Sequence, residues 1–482
     1  MADEPELVGI TVKKDEDFSE WYNQVVLKAD LADFTAIKGF MAIKPNAYEV
    51  WEKIQDWFNE KIKKTGHRNA YAPALIPESF LKKEKEHLEG FTPEAFWITH
   101  EGPKELDERY ALRPTSETII YDSYSKWITS WRDLPLLFNY WNSVFRYETK
   151  MTKLFLRTRE FLWQEGHTVH ATEEEAKKEM MDQIKLYKKL AEELLAIPVI
   201  TGIKSESEKF AGAETTTTIE GLMPDGKALQ MGTSHNLGQN FSKPFGLTFL
   251  GKDEKEKYAW NTSWGFSTRL IGALIMVHGD DKGLVMPPKV APIQAVIVPI
   301  IFEDTKDKVL KKAKEIEEKL SENFSVKLDD RENYTAGWKF NEWELFGVPV
   351  RVEIGPKDLE KGQVVLVRRD TGEKAFVKEK DLDSALEKLT DDIQENLYRK
   401  AEKFLKENTD SVKGYEEFKK IMDEKRGFIK AGWCGSQKCE DKIQKETTAT
   451  VRAIPFNSEK GGKCIYCGKK AKYKEVYFAK SY

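Results

Sequence analysis

Three arginines lie in or beside apolar segments, where a guanidinium group needs an anion as its partner. Arg146 and Glu148 are two residues apart, so they face the same side of a strand. Arg157 follows on the next segment, and Arg269 stands at the start of an apolar helix. A guanidinium binds phosphate through paired hydrogen bonds, and free N–H groups at a helix start also favour an anion. The set predicts a phosphate clamp; an ion-pair ladder on a half-exposed sheet is the alternative.

The four cysteines are clustered near the end of the sequence in two close pairs. Cys434 stands near Cys439, and Cys464 stands near Cys467. Four thiolates at such spacing suit a tetrahedral Zn²⁺ site, and no other residue pattern here supplies an open coordination position. We therefore expect a structural Zn²⁺ rather than a catalytic one. Free structural thiols are the alternative.

Composition describes a packed protein with balanced charge. Hydrophobic residues make up 40%, and 77 basic side chains nearly cancel 81 acidic ones, for a net charge of −4. This balance does not indicate a polyanionic partner, although lysines gathered on one face can still bind one. The start has neither the basic nor the apolar region of a signal peptide, and the most apolar stretch, 295–302, is too short to cross a bilayer. We expect a cytoplasmic protein without a membrane partner.

The arginines require a sheet and a helix to position them. Residues 138–148 and 158–169 are aromatic and β-branched runs around a polar stretch, which predicts a hairpin with a long loop. Residues 258–277 read as a strand leading into a helix. Residues 46–64 have apolar side chains at three- and four-residue spacing, which predicts a long helix.

The chain divides at a proline-rich segment, 286–294. Beyond it, strands alternate with helices, which predicts a small α/β domain. A charged helical stretch, 383–425, then leads to the cysteines. We predict three domains with the limits 1–288, 289–385 and 386–482.

These segments resemble the three signature motifs of class II aminoacyl-tRNA synthetases. Residues 39–73, with the long helix between their ends, look like motif 1. Residues 145–148 together with Arg157 look like motif 2, and residues 265–269 with the following helix look like motif 3. Three arginines in this order and context are far more specific than one.

A closer resemblance covers nearly the whole chain. The segments 113–117 (RPTSE), 163–167 (WQEGH) and 232–241 (GTSHNLGQNF) are similar to those of prolyl-tRNA synthetases, and the cysteine tail is similar to that of the archaeal and eukaryotic type. The resemblance implies an α+β protein, with an antiparallel-sheet catalytic domain, an α/β anticodon-binding domain and a C-terminal α/β zinc-binding domain. Only 62 residues separate His167 from Gln230, too few for the editing domain of bacterial-type enzymes.

The resemblance also implies a function and site residues. The function is to activate L-proline with ATP and Mg²⁺ and to transfer it to the 3′ end of tRNA-Pro. The catalytic residues would be Arg146 and Arg269. Proline would contact Thr115, Glu117, Arg146, Trp163, His167 and His235; ATP would contact Arg146, Glu148, Arg157, Thr158, Gln230, Thr233, Ser267 and Arg269.

Several of these residues have simpler explanations. The Thr115–Glu117 segment also fits a helix cap. Trp163 could belong to the core, and His167 and His235 could be buried histidines with satisfied hydrogen bonds.

The α/β domain would read the anticodon. Arginine binds guanine acceptors bidentately, so Arg351, Arg368 and Arg369 are candidates, with Glu344 as an acceptor from a guanine amino group. Strand arginines that face only solvent are the alternative. We also expect a homodimer, because motif 1 helices pair across a two-fold axis in this class and the aromatic residues of 46–64 suggest an exposed face.

Two rival functions remain at this point. Another class IIa specificity, threonyl or histidyl, is one, although threonyl enzymes place zinc in the catalytic site. A non-catalytic synthetase-like tRNA-binding regulator is the other, although such a relic would be expected to lose one ATP arginine, and all three are present.

Overall fold

The computed structural model describes residues 9–87 and 95–482. Residues 1–8, the first part of the segment that lacks the features of a signal peptide, lie outside this range. The elements of the N-terminal part are, in chain order, α1 (Phe18–Lys28), β1 (Ala32–Phe34), β2 (Met41–Ile43), α2 (Pro45–Lys63), β3 (Arg68–Ala70), β4 (Leu75–Pro77), α3 (Glu78–His87), β5 (Trp97–Glu101), β6 (Lys104–Leu112), α4 (Glu117–Trp127), β7 (Leu136–Phe145), β8 (Glu160–His170), α5 (Glu173–Lys189), β9 (Val199–Ile203), β10 (Thr215–Leu222), β11 (Ala228–Gly238), α6 (Ser242–Phe245), β12 (Thr248–Leu250), β13 (Glu256–Tyr258), β14 (Trp260–Ser267) and α7 (Arg269–His278).

A seven-stranded sheet forms the centre of this part, in the order β3-β7-β8-β14-β11-β10-β9. Its pairs are antiparallel except for β3 with β7. β7 and β8 pair along their full length, from Leu136 opposite Val169 to Phe145 opposite Glu160. The predicted hairpin with a long loop is therefore confirmed. The predicted strand-to-helix segment is also confirmed, since β14 leads directly into α7.

The long helix α2 packs its aromatic residues inward. Trp51 and Phe58 are buried, and their rings meet Trp141 and Phe266 of the sheet at 5.2–6.0 Å between centroids. Burying each such side chain contributes about 2–3 kcal/mol to folding. The helix prediction is confirmed. Trp51 and Phe58 form core, Trp57 packs partly against it and Tyr48 is exposed, so the helix offers little of the exposed aromatic face expected for a dimer.

A glycine fixes the approach of two neighbouring strands. A Cβ atom on Gly166 of β8 would lie 2.1 Å from the indole ring of Trp264 on β14, which no side chain can do. Trp264 is buried in the same core as Phe58. The close contact holds β8 against β14, and these two strands line the cavity described below.

The second part of the chain contains β15 (Ala295–Pro299), α8 (Lys306–Leu320), β16 (Val326–Leu328), α9 (Ala336–Leu345), β17 (Val350–Ile354), α10 (Pro356–Lys361), β18 (Gln363–Arg368), β19 (Lys374–Lys378) and α11 (Leu382–Glu407). Its five strands follow the order β16-β15-β17-β18-β19, with β15 parallel to both neighbours. Leu386 and Ile393 of α11 pack into the core of this sheet. The predicted limit at 385/386 therefore falls inside a continuous helix.

The last part contains β20 (Thr409–Ser411), α12 (Tyr415–Glu424), β21 (Phe428–Trp433), α13 (Gln437–Thr447), β22 (Thr450–Ala453) and β23 (Tyr473–Ala479). Its four strands follow the order β20-β21-β23-β22. β20 interrupts the helical stretch expected over 383–425, because Thr409 to Ser411 pair with β21. Just past β22, Ile454 exchanges backbone hydrogen bonds with Ile203 of β9, which ties this part to the edge of the central sheet.

Among the described residues, no helix combines the length and the apolar character that a membrane span requires.

Candidate active site

A cavity of about 220 Å³ opens between β8, β11 and β14, beneath the start of α4. Strand alternation explains its lining, because residues two apart face the same side of a sheet. The structure brings ten predicted residues together around it: Thr115, Glu117, Arg146, Trp163, His167, Gln230, Thr233, His235, Ser267 and Arg269. Three further predicted residues, Glu148, Arg157 and Thr158, are not part of this lining.

Glu117 begins α4, and the residues before it do not cap the helix. Ser116 stands at the cap position without a side-chain capping bond, because its hydroxyl donates to Glu165. The Thr115 hydroxyl donates to the carboxylate of Glu117, which is buried and lines the cavity. The helix-cap explanation of this segment is therefore not supported. A carboxylate and a hydroxyl side by side form a site for an ammonium group.

Glu165 is a buried carboxylate that the sequence interpretation missed. It accepts hydrogen bonds from Ser116 and from Asn142 at 2.7 Å, and the Nε2 of His167 lies 2.9 Å from its other oxygen. Burial alone would raise the pKa of Glu165, but the charge of His167 and these hydrogen bonds hold it below its ordinary value. Strand alternation from Trp163 could have revealed it, because residues 163, 165 and 167 share one face.

His167 is the opposite partner of this buried pair. Burial lowers its pKa, but the charge of Glu165 outweighs burial, so the pKa is raised overall. Both shifts favour the imidazolium–carboxylate form of this buried pair, and the Nδ1 of His167 has no hydrogen-bond partner among the described residues.

His235 is neutral and held by hydroxyl groups. Its Nδ1 lies 2.9 Å from the hydroxyl of Thr216, and its Nε2 lies 3.1 Å from that of Thr233. The ring of Phe210 packs on it at 4.8 Å between centroids. Burial, assisted by the charge of His167, lowers the pKa of His235 to about 3. Thr216 and Phe210 were missed because they are distant in sequence and carry no motif of their own.

Arg146 forms one wall of the cavity. Its Nε donates to the carbonyl of Pro114 at 3.0 Å, and its guanidinium carbon lies 5.4 and 5.6 Å from the rings of Phe161 and Trp163. Solvent reaches the side chain through the cavity mouth, yet protein atoms surround the guanidinium. That burial lowers its pKa, although Glu117 and Glu165 act in the opposite direction. The aromatic rings and the backbone bond fix its direction.

Arg269 is a second cationic wall. Its Nε donates to the carbonyl of Leu156 at 3.1 Å, and an Nη donates to that of Gln230 at 3.4 Å. Burial, followed by repulsion from Arg146 and Arg157, lowers its pKa to about 10. Arg269 remains charged at neutral pH, so a cluster of like charges surrounds the cavity. An anion bound there would relieve the repulsion.

The residues of the β7–β8 loop lie outside the lining. Arg157 pairs with Glu148 at 3.8 Å between Nε and Oε2. Thr158 is buried, and its hydroxyl donates to the carbonyl of Glu160 at 2.6 Å. Arg157 acts on the cavity through its charge, whereas the hydroxyl of Thr158 is already used.

All four predicted anticodon residues line one small cavity of the α/β domain. An Nη of Arg351 is 3.5 Å from a carboxylate oxygen of Glu344, and Arg351 also donates to Glu353 at 2.9 and 3.0 Å. Its guanidinium carbon lies 4.1 Å from the ring centroid of Phe340. A planar cation next to an acceptor carboxylate is a group that can bind a guanine edge.

Arg368 and Arg369, like Arg351, are engaged in ion pairs within the chain. Arg368 donates to both carboxylate oxygens of Asp370 at 2.7 and 2.8 Å. Arg369, which is buried, donates to both oxygens of Asp280 at 2.6 and 2.7 Å and thereby joins two domains. The guanidinium of Arg369 is used for holding the domains together.

The four cysteines converge as predicted. All four Sγ atoms lie within 4.8 Å of one another, with 3.6 Å between Cys434 and Cys439 and 3.9 Å between Cys434 and Cys467. Four thiolates around one Zn²⁺, each at about 2.3 Å, would be separated by about 3.8 Å. The donor set therefore fits a zinc ion, and a sequence separation of 24 residues between the pairs is closed by the fold.

Three family models match successive parts of the chain. Residues 96–278 match the tRNA synthetase class II core domain (G, H, P, S and T), residues 294–391 match the anticodon binding domain, and residues 415–482 match the prolyl-tRNA synthetase C-terminal domain.

Curated relatives match over nearly the full length. The chain is 55% identical to the proline–tRNA ligase of Natranaerobius thermophilus over 478 residues, which is 99% of both chains. It is 55% identical to that of Alkaliphilus oremlandii, covering 97% of this chain and 96% of the relative. It is 54% identical to proline–tRNA ligase 2 of Clostridioides difficile, covering 99% of both.

Proposed function

The chain belongs to the prolyl-tRNA synthetases, and from that premise we propose how its own residues bind and activate proline. The family reaction joins proline to tRNA-Pro with ATP. The observation that carries the site assignment is the convergence of a buried carboxylate, two fixed arginines and an aromatic wall on one cavity.

Proline lies with its secondary ammonium against Glu117 and Thr115. Glu117 supplies the negative charge, and the Thr115 hydroxyl orients that carboxylate through its hydrogen bond. Trp163 provides the flat wall for the ring, with His167 and His235 behind it. The Glu165–His167 pair forms a fixed floor of this subsite, so the pocket does not have to reorganise when proline enters.

ATP enters as its Mg²⁺ complex, and the arginines receive its phosphates. Arg146 lines the same cavity as Glu117 and Arg269, so it can bridge the substrate carboxylate and the α-phosphate. Arg269 and Arg157 neutralise the remaining phosphates, and Glu148 accepts from the adenine amino group. Gln230, Thr233 and Ser267 line the same cavity and serve ribose or phosphate oxygens; Thr158 is left out because its hydroxyl is already bonded.

The first reaction step requires no protein nucleophile. The carboxylate of proline is ionised at neutral pH and attacks the α-phosphorus, and pyrophosphate leaves. The chain therefore acts by positioning both substrates and by stabilising charge on the transferring phosphate. The terminal ribose hydroxyl of tRNA-Pro then attacks the adenylate carbonyl and releases AMP.

The remaining assignments concern the other domains. We propose that Glu344 and Arg351 contact the anticodon, since their side chains lie together beside Phe340. Cys434, Cys439, Cys464 and Cys467 hold a structural Zn²⁺.

We keep the first domain limit near 288 and move the second to the end of α11, because that helix packs on the anticodon-binding sheet. The protein works in the cytoplasm, where translation takes place.

A homodimer is proposed on a new basis. Phe34 and Ile37, in and just after β1, are 61% and 63% exposed. Both lie just before residue 39, where the segment that resembles motif 1 begins, and in this class motif 1 supplies the dimer contact. Large apolar side chains grouped on one short segment are typical of a surface that another chain covers.

The absence of an editing domain is also proposed. Between β8 and β11 the chain forms only α5 with its short continuation, β9 and β10, joined by connecting segments that include residues 204–214, and these elements pack on the central sheet. This arrangement is what the archaeal and eukaryotic type would require.

Pyrophosphate exchange measured with each of the twenty amino acids tests the site. Proline should support exchange far better than any other amino acid. Glu117→Gln should raise the KM for proline and leave the KM for ATP unchanged. An equal rise in both constants would contradict the assignment of Glu117 to the proline ammonium.

A further inference from the structure

Four charged side chains form a buried cluster between the central sheet and the C-terminal domain. We call Lys204, Glu208, Glu220 and Arg452 the charge quartet. Lys204 donates to Glu220 at 2.7 Å, with both side chains fully buried. Arg452 donates to both oxygens of Glu220 at 3.1–3.3 Å and to Glu208 at 2.9 Å. Two positive and two negative charges therefore balance inside the protein.

Arg452 is the only member of the quartet that the C-terminal domain contributes. It lies on β22, whereas Glu220 lies on β10 and Lys204 and Glu208 lie in the segment between β9 and β10. That segment, residues 204–214, is called the cavity loop here. Glu208, Lys209 and Phe210 of the cavity loop line the proposed proline cavity. One arginine thus connects the C-terminal domain to a wall of the active site.

A second contact joins the cavity loop to the C-terminal domain. The hydroxyl of Ser205, in the cavity loop, donates to Glu440 at 2.9 Å. The same carboxylate oxygen of Glu440, on α13, accepts from the backbone N–H of Val451 at 3.2 Å. Glu440 is buried, so this bond fixes the start of the loop against α13 and β22.

The other end of the cavity loop is anchored to the central sheet. The N–H of Phe210 donates to the hydroxyl of Thr216 at 3.0 Å, and Asn240 donates to the carbonyl of Gly212 at 2.9 Å. Phe210 then packs on His235. The central sheet therefore holds the part of the loop from Phe210 onward, and the C-terminal domain holds the part from Ser205 to Glu208.

Arg452 also prevents repulsion between two carboxylates. Glu208 and Glu220 bind the same guanidinium, so without it two negative charges would face each other in a poorly solvated space. Glu220 cannot move, because it lies in the middle of the β10 ladder with β9 and β11. Glu208 would move instead, since it stands in a loop and its side chain is 24% exposed. Movement of Glu208 also displaces the neighbouring Lys209, so both side chains leave their places in the cavity wall while the central sheet holds Phe210.

We propose that the C-terminal domain sets the position of the cavity loop, with Arg452 and Glu440 as positioning residues for the proline subsite. Neither residue touches the cavity; both act through Glu208 and Ser205. The proposal rests on the assignment of the cavity to proline. It gives the C-terminal domain a part in amino-acid binding in addition to any role in folding.

The first test is the KM split in Arg452→Gln. Loss of one charge-assisted bond to Glu208 should raise the KM for proline about tenfold in pyrophosphate exchange, while the KM for ATP stays within about twofold. Arg452→Lys keeps the positive charge but cannot bind both carboxylates as a fork. Its KM for proline should therefore lie between that of the unchanged protein and that of Arg452→Gln.

Ser205→Ala is the second test, because this small change leaves the four charges of the quartet in place. It should raise the KM for proline about threefold, because the variant loses a single hydrogen bond to Glu440. In both variants, hydrogen exchange of amides 205–209 should become faster, while the amide of Phe210 and those of β10 keep their protection. Gln394→Met is the matched control: Gln394 is equally buried and joins α11 to the carbonyl groups of Glu193 and Leu194, remote from the loop. Its KM for proline should not change.

The outcomes separate two kinds of failure. If Arg452→Gln and Ser205→Ala lower only the melting temperature and leave the KM for proline and loop exchange unchanged, the positioning role is refuted. The same holds if Gln394→Met raises the KM for proline equally, since any loss of interdomain contact would then suffice. If Glu117→Gln leaves proline binding unchanged, the assignment of the cavity itself is wrong.

Discussion

Arg146 and Arg269 are held by backbone carbonyl groups, which fixes their direction without neutralising their charge. Each donates its Nε–H to a carbonyl oxygen, of Pro114 and of Leu156 respectively. A carbonyl is a dipole and leaves the guanidinium charge available for a phosphate. Such preorganised cations stabilise a transition state without reorganising during the reaction.

Removal of either arginine should therefore reduce catalysis but not stability. We expect Arg146→Ala and Arg269→Ala each to lower proline-dependent pyrophosphate exchange about 10²–10³-fold. The melting temperature should remain near that of the unchanged protein, because repulsion within the cationic cluster is relieved. Arg399→Ala, at a side chain 71% exposed, is the control. Exchange rates near normal in either variant would contradict the motif assignment.

His278 allows a test of stability against pH. Burial lowers its pKa to about 4, and its Nε2 lies 2.8 Å from the carbonyl of Leu195. Between pH 6.5 and 4, His278 is therefore protonated in the unfolded chain but not in the folded chain. Because the unfolded chain binds the extra proton, this residue makes the protein less stable as the pH falls. The contribution approaches about 3 kcal/mol at pH 4. His278→Gln keeps a donor for the carbonyl of Leu195. Its free energy of unfolding, measured with urea, should fall less between pH 7 and 4.5 than that of the unchanged protein. An unchanged pH dependence would contradict the assigned pKa shift.

Single residues were predictable where a motif or strand alternation identified them. The sequence led to ten residues of the cavity lining, including Glu117 and Arg146, because their types stand at motif spacing. Glu208 and Phe210 were not predicted, since a loop has no periodicity that shows which side chains it presents. The ion pair of Arg369 with Asp280 was not predicted, because the two residues are 89 apart in sequence and nothing local indicates the pairing.

At the scale of elements, α13 and the strands around it carry the four cysteines. Cys439 lies on α13, and Cys434 lies just after β21. The other pair stands in the long connection from β22 to β23. This connection has few elements of its own, so a metal ion is expected to supply much of its order.

Loss of zinc should therefore unfold the C-terminal domain locally. Cys467→Ser should lower bound zinc from one per chain to a small fraction, because three thiolates hold Zn²⁺ far less tightly than four. A four-thiolate site contributes on the order of 10 kcal/mol to local folding. The measurements are zinc per chain by mass spectrometry and the rate of proteolysis after residue 454, with Gln437→Ala as control. Protein prepared without chelator that contains no zinc would refute the site.

Elements with strong periodicity were predicted well, and short ones were not. α2, the β7–β8 hairpin and the β14–α7 segment follow from apolar spacing and agree with the structure. β20 was missed because three polar residues become a strand only by pairing with β21. The sheet of β4, β6 and β5 was missed for the same reason: its pairing depends on contacts that local sequence does not show.

At the scale of the whole molecule, the exposed apolar side chains of Phe34 and Ile37, just before the motif 1 segment, lead to a test of the dimer. Phe34→Glu combined with Ile37→Glu should shift the protein from dimer to monomer in sedimentation at micromolar concentration. Adenylate formation should fall in parallel, because the paired motif supports the active site. Leu250→Glu, at a side chain 48% exposed on β12, is the control. A fully active monomer without any substitution would refute the proposal.

Fidelity is a second property of the whole molecule. Alanine fits inside a proline pocket, and each missing methylene group costs only about 1–3 kcal/mol of discrimination. Its ammonium can still meet Glu117. We therefore expect measurable alanine-dependent pyrophosphate exchange and no deacylation of Ala-tRNA-Pro above the uncatalysed rate. Rapid hydrolysis by the purified enzyme would reveal an editing site that the fold between β8 and β11 does not suggest.

The three-part organisation followed from the change of pattern near residue 290, but the contacts between the parts did not. Ion pairs such as Arg369 with Asp280 and Arg452 with Glu220 join residues 89 and 232 apart in sequence. No local pattern encodes such a pair, because each partner is simply a charged residue until the domains meet.

The charge quartet constrains the evolutionary history of this protein. A single substitution at Lys204, Glu220 or Arg452 leaves an unbalanced charge inside the protein, so intermediates that change one position at a time would be purged. The four positions should therefore vary together among relatives or remain fixed together. Lineages that replaced Arg452 with an apolar residue should also have replaced Glu220, and the two changes should have arisen close together in time.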